Sequence, residues 1–117
     1  MAKRILDMTI ELPIFIVEGN DVGIYKTLEK AINHLEPIDV KNKIYDGYDA
    51  SGRKLKIDVL NNRIVVTLAE EKPTHAKVLE TILRNYLRSM DALSNDEKSS
   101  DLKALVNKCI KYSVRFS

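Results

Sequence analysis

The chain has 117 residues, enough for one domain that buries about two-thirds of the surface its unfolded form exposes. Apolar residues make up 44% and charged residues 31%, proportions that exclude a disordered or a fibrous class. Nineteen Lys and Arg against seventeen Asp and Glu leave a net charge of +2, too small for whole-molecule attraction to nucleic acid or an anionic membrane.

No apolar run approaches the roughly 18 to 20 residues needed to span a bilayer, and no membrane partner is expected. The first residues, Met-Ala-Lys-Arg-Ile-Leu-Asp-Met, continue straight into a strand pattern, so no signal peptide is expected either. Cys109 is the single cysteine and cannot form an internal disulfide, which fits a reducing cytoplasmic compartment.

Met8 to Val17 alternates at first, with Met8, Ile10 and Leu12 against Thr9 and Glu11, then becomes the wholly apolar Ile14-Phe15-Ile16-Val17. This predicts a strand in which Pro13, lacking an N–H, marks an edge or a bulge. Glu18-Gly19-Asn20-Asp21 ends it with turn residues. Ile24, Leu28, Ala31, Ile32 and Leu35 then fall on one helical stripe. Asp21 or Thr27 is its expected cap, and Glu36-Pro37 its stop. Ile38 to Asn42 reads as a loop.

From Ile44 to Leu68 two turn signals separate three alternating runs, and the register follows by counting. Asp49-Ala50-Ser51-Gly52 has Asp at the first and Gly at the fourth position, as in a type I turn with a glycine bulge. It sets Asp49 against Arg53, Tyr48 against Lys54, Gly47 against Leu55, Asp46 against Lys56 and Tyr45 against Ile57. Asn61-Asn62 suits a two-residue hairpin and sets Val59 against Ile64, Ile57 against Val66 and Leu55 against Leu68. Counted separately, the two hairpins place Tyr45, Leu55, Ile57, Val59, Ile64, Val66 and Leu68 on one face, where a slip of one residue would scatter them. Gly47 shares that face, where its missing side chain would admit a helix.

The charged connector Ala69 to Pro73 precedes a helix predicted from about Thr74 to Met90, with Val78, Leu79, Ile82, Leu83, Tyr86, Leu87 and Met90 as its apolar stripe. Ser94 to Ser100 reads as a polar loop in which Ser94 and Glu97 match a capping box. A last helix is carried by Leu102, Leu105, Val106, Cys109 and Ile110, and residues 113–117 are expected to fray. The sum is a single α+β domain: a four-stranded, mainly antiparallel sheet in the order β-α-β-β-β-α-α, with its helices packed on the Tyr45-Leu55-Val66 face.

Residues 48–55, Tyr-Asp-Ala-Ser-Gly-Arg-Lys-Leu, resemble the Y-D-x-x-G-R-x-L core of YD-repeat shell proteins. Those shells need many copies and this chain has one, so the resemblance implies shared hairpin chemistry and no function is carried over. Asp46 to Gly52 departs from a calcium loop: its acids are three apart rather than alternate, and Ile57 occupies the position of the closing Glu. His34, His75 and Cys109 offer no zinc spacing, and neither a nucleophile elbow nor a phosphate-cradling glycine loop is present. No catalytic residue, metal or cofactor is therefore assigned.

Three functions stay open. The first is a small non-enzymatic protein-interaction module, an adaptor or an immunity-like inhibitor, using the open sheet face with Ile44, Tyr48, Leu60, Arg63 and Val65 as contacts. Its partner would be another protein or a second copy of the chain. The second is a nucleic-acid accessory protein whose basic stripes, Lys77, Arg84 and Arg88 on one helix and Lys103, Lys108 and Lys111 on the next, meet phosphates, although Glu80, Asp91, Glu97 and Asp101 interrupt them. The third is a ligand binder or enzyme with a pocket between sheet and helices, built from residues too dispersed to find by spacing.

Overall fold

A computed structural model describes residues 9–90 and 101–112, the side chain of Tyr112 excepted. The chain runs β1 (Ile14–Glu18), β2 (Asp21–Tyr25), α1 (Leu28–His34), α2 (Pro37–Lys41), β3 (Tyr45–Tyr48), β4 (Lys54–Leu60), β5 (Arg63–Leu68), α3 (Ala76–Ser89) and α4 (Leu102–Tyr112). The strands form one antiparallel sheet in the order β2-β1-β3-β4-β5. The α+β class stands, with five strands in place of four.

The added strand is β2. Gly19 at φ 61° turns the chain so that Phe15 meets Ile24 and Glu18 meets Asp21, drawing Asp21–Tyr25 out of the expected helix. The helix therefore starts at its other expected cap, Thr27, whose hydroxyl accepts from the Lys30 N–H at 3.1 Å. The strand expected from Met8 begins only after Pro13, and Met8 lies outside the described residues. Because the proline precedes the ladder, β1 sits inside the sheet, paired on both sides. The expected loop at Ile38 is the short helix α2, entered through Pro37 in its first turn.

The meander follows the counted register over all of β4-β5 and over two pairs of β3-β4. Tyr48 pairs with Lys54 and Gly47 with Leu55, while β4 and β5 match from Leu55 and Leu68 to Leu60 and Arg63 across Asn61 and Asn62, both at positive φ. Gly47 makes room for β4 rather than a helix: a Cβ there would lie 3.1 Å from the end of Ile57.

The helices divide between the two sheet faces, correcting the expectation that they share one. Leu55, Val66 and Leu68, with Ile14, Ile16 and Tyr25, pack under α1 and α2 through Ala31, Leu35 and Val40. On the other face Phe15, Val22, Ile24 and Tyr48 pack against Leu79, Leu83 and Leu87 of α3 and Leu105, Val106 and Cys109 of α4. The cause is β1, whose consecutive Ile14-Phe15-Ile16 is buried on both sides and therefore needs two covers. Asp101 starts α4 by accepting the Ala104 N–H at 2.9 Å, while the Ser94–Glu97 pair and residues 113–117 lie outside the described residues. Among the described residues no helix is long and apolar enough to cross a membrane.

Candidate functional site

The second layer of helices decides what remains of the open face. α3 and α4 cover its β2-β1-β3 half, and Tyr48, expected outside, is 5% exposed within their core. The Lys54 ammonium lies 4.7 Å above the Tyr48 ring and 2.6 Å from Asp46 Oδ1, while the His75 ring lies 6.1 Å away. Tyr48 is thus a core anchor, and the surface moves to the β4-β5 half. There Leu60 is 61% exposed and paired with exposed Arg63 at the hairpin tip, and half-buried Val65 pairs with Asp58. Lys56 Nζ lies 3.5 Å from Asp58 Oδ2 on the same face. Ile44, 42% exposed, precedes β3 and lies off this hairpin. Val78, part of the apolar stripe expected of α3, is 45% exposed and adds an apolar side chain to the surface.

β5 ends the sheet. Between Arg63 and Ala69 it reads Ile-Val-Val-Thr-Leu, with no proline, glycine or charge along an edge that no described strand pairs. The two-residue hairpin makes Leu60 and Arg63 a hydrogen-bonded pair, so the N–H groups of Ile64, Val66 and Leu68 point away from β4. β2, the opposite edge, carries Asp21 and Gly23.

The residues of the two basic stripes differ in exposure. Lys77, Arg88, Lys103 and Lys111 are exposed, whereas Arg84 and Lys108 are half-buried, and Arg84 reaches toward Glu80 at 3.5 Å.

Two charged clusters that invite a chemical reading serve the fold. Asp49 is fully buried. One carboxylate oxygen accepts from the Ser51 N–H at 3.1 Å, the Ser51 hydroxyl at 2.7 Å and the Arg53 N–H at 3.0 Å; the other accepts from Arg53 Nε at 2.9 Å and the Glu11 N–H at 3.2 Å. Arg53 also donates to the Thr9 carbonyl at 2.8 Å, so the Y-D-x-x-G-R pattern ties the approach to β1 to the turn. Gly52, at φ 90°, seats α3: a Cβ there would lie 2.5 Å from the Ala76 Cα. Glu70 accepts from the Thr74 hydroxyl, from the Lys54 N–H at 2.9 Å and lies 2.8 Å from His75 Nδ1. Burial opposes its charge, yet the Thr74, Lys54 and His75 bonds prevail and bring its pKa down to about 2.

On the α1 side a cleft of about 470 Å³ is lined by Ile16, Glu18, Asp21, Gly23, Tyr25, His34 and Tyr45. The sheet register assembles it from residues 16 to 45, a spread that no spacing rule would link. Among the described residues no group of three or more His, Cys, Asp or Glu is placed to hold a metal ion. Compared with protein-family models, curated proteins and solved structures, the chain matches none of them.

Proposed function

We propose that the chain is a small protein-interaction module, of the adaptor or immunity-like inhibitor kind, that takes an extended segment of another protein onto the β5 edge. The observation that carries this reading is the β5 edge that no described strand pairs: Ile64 to Leu68 offers outward N–H groups and an uncharged, β-branched surface. Soluble domains ordinarily blunt such an edge with proline, a bulge or a charge. An added strand would satisfy those N–H groups, while Val65 and Leu60 receive its apolar side chains and Arg63 a carboxylate. The basic-helix alternative has less behind it, since Arg84 is turned to Glu80.

The test compares tagged wild type with a Val65→Lys/Thr67→Lys variant, whose new charges lie on the uncovered face and leave the buried Val66 and Leu68 alone. A defined protein captured by wild type and by Lys77→Glu/Arg88→Glu, but lost from the β5 variant, is the expected result. Equal recovery by the β5 variant overturns the assignment. Nucleic acid recovered in its place and released by salt favours the helices instead, and light scattering that reports a β5-dependent dimer makes the occupant a second copy.

A further inference from the structure

We propose that Glu70 and His75 form a pH-dependent clasp that holds the end of β5 to the start of α3 more tightly when His75 is protonated. The clasp begins where the β4-β5 ladder runs out. The Ala69 N–H still donates to the Lys54 carbonyl at 2.9 Å, but the Lys54 N–H donates to Glu70 Oε2 at 2.9 Å, in the place an antiparallel ladder would give to the Ala69 carbonyl. The same oxygen lies 2.8 Å from His75 Nδ1, and Glu70 Oε1 accepts from the Thr74 hydroxyl. His75 caps α3: its N–H donates to the Gly52 carbonyl at 3.1 Å, and its carbonyl accepts the Leu79 N–H at 2.9 Å. One carboxylate therefore joins strand, connector and helix.

Histidine is the side chain that ordinarily changes charge between pH 5 and 8. The His75 side chain, 38% exposed, can exchange a proton with water, while Glu70, with its pKa brought down to about 2, is ionised throughout that range. A neutral ring gives the carboxylate an ordinary hydrogen bond, and a charged ring gives one roughly twice as strong. The charge has an opponent, because the N-terminal end of a helix dipole disfavours a cation. Glu70 offsets that repulsion at contact distance and so sets the sign of the response. The Tyr48 ring, 6.1 Å from the His75 ring, offers a face that attracts the cation. On the elements beneath, Lys54 is paired with Asp46 at 2.6 Å and Arg53 with Asp49 at 2.8 Å. Glu71 and Lys72 on the connector and Lys77 on α3 are exposed, where water screens them. The stability that the charged pair supplies is present below the histidine range and lost as pH rises through it.

The clasp does not rest on what the β5 edge binds, and its test needs no partner. Urea unfolding of the full chain at pH 5.5 and pH 8 measures it, with the Lys54 amide resonance followed by NMR through the same range. Each variant is compared with its own value at pH 8. On acidification the unfolding constant of wild type should fall about two- to fivefold more than that of His75→Gln, the size expected of a partly exposed ion pair. His34→Gln, which removes the other histidine of the chain, should respond as wild type does. In Glu70→Gln, where the charged ring meets the helix dipole without a counter-ion, the response should vanish or reverse. The Lys54 amide resonance should step between pH 5 and 8 in wild type and His34→Gln and stay level in His75→Gln, a readout that a general loss of stability would not reproduce. Equal responses of wild type and His75→Gln, a response lost with His34 instead, or one that survives Glu70→Gln unchanged overturns the proposal.

Discussion

Replacing Asp49 by alanine removes the buried carboxylate on which the Tyr48–Leu55 turn closes. The Arg53 guanidinium side chain, 11% exposed, would lose the counter-charge 2.8 Å away and keep, among the described residues, Ser51 and the Thr9 carbonyl as partners. Breaking a buried ion pair from one side costs about 3 to 5 kcal/mol, because the remaining charge stays desolvated. Water reaching the Ser51 and Arg53 N–H groups lowers that figure, so a loss of about 3 kcal/mol is expected, a large part of a stability on the order of 5 to 15 kcal/mol. Urea unfolding followed by far-UV circular dichroism measures it, with an unchanged m-value as the check that the transition is still two-state. Asp49→Asn should cost somewhat less, since its carbonyl still serves the turn while its amide NH₂ confronts the Glu11 N–H and Arg53 Nε. Amide exchange at Glu11 should speed up in both variants. A loss below about 1 kcal/mol for Asp49→Ala, or the same loss in an Arg53→Ala background, would refute the coupling described here.

Two further outcomes follow from titration. Glu70 is held at about 2 in the fold, below its ordinary 4.5, so it contributes stability above pH of about 5 that is lost as pH falls toward 2. Between pH of about 5 and 2 wild type should lose about 1 to 2 kcal/mol more stability, after screening, than Glu70→Gln, each measured against its own neutral-pH value, and parallel acid curves would contradict this. Cys109 is fully buried, and burial pushes its thiol up to about 12. Labelling by a thiol reagent at neutral pH should therefore track global unfolding, and fast labelling of the native protein would show that α4 opens locally.

The legible part of the fold was the part governed by neighbours in sequence. Gly52 and the Asn61-Asn62 pair specify their turns through φ angles that other residues resist, and the turns then fix every pairing of β4 with β5. The α3 stripe was legible for a similar reason, because Leu79, Leu83 and Leu87 recur at the helical period and all three are buried. β2 was not. Ile24 lies four residues before Leu28 and fits a helical stripe as well as a strand, and only the hairpin with β1 makes the strand the better choice. α2, five residues long, is too short to display a period.

The candidate surfaces show the same division. Alternation placed Tyr48, Leu60, Arg63 and Val65 on one side of the meander, and that side is real. Which half of it meets water depends on β1, whose unbroken apolar run was the one local sign that both faces would be covered. The α1-side cleft left no such sign: Glu18, Asp21, His34 and Tyr45 come from four separate elements or their ends, and only strand order brings them together.

By itself, the sequence determined the turns, the β4-β5 register and the identity of the face beneath Leu55 and Val66, since each depends on backbone sterics and period-two alternation within a few residues. Tertiary structure alone decided that α3 and α4 lie over Tyr48, that no described strand pairs the outer edge of β5, and that Glu18 faces both Asp21 and Tyr45. Those outcomes depend on which distant apolar surfaces find each other, a competition settled by the total area removed from water rather than by any local pattern.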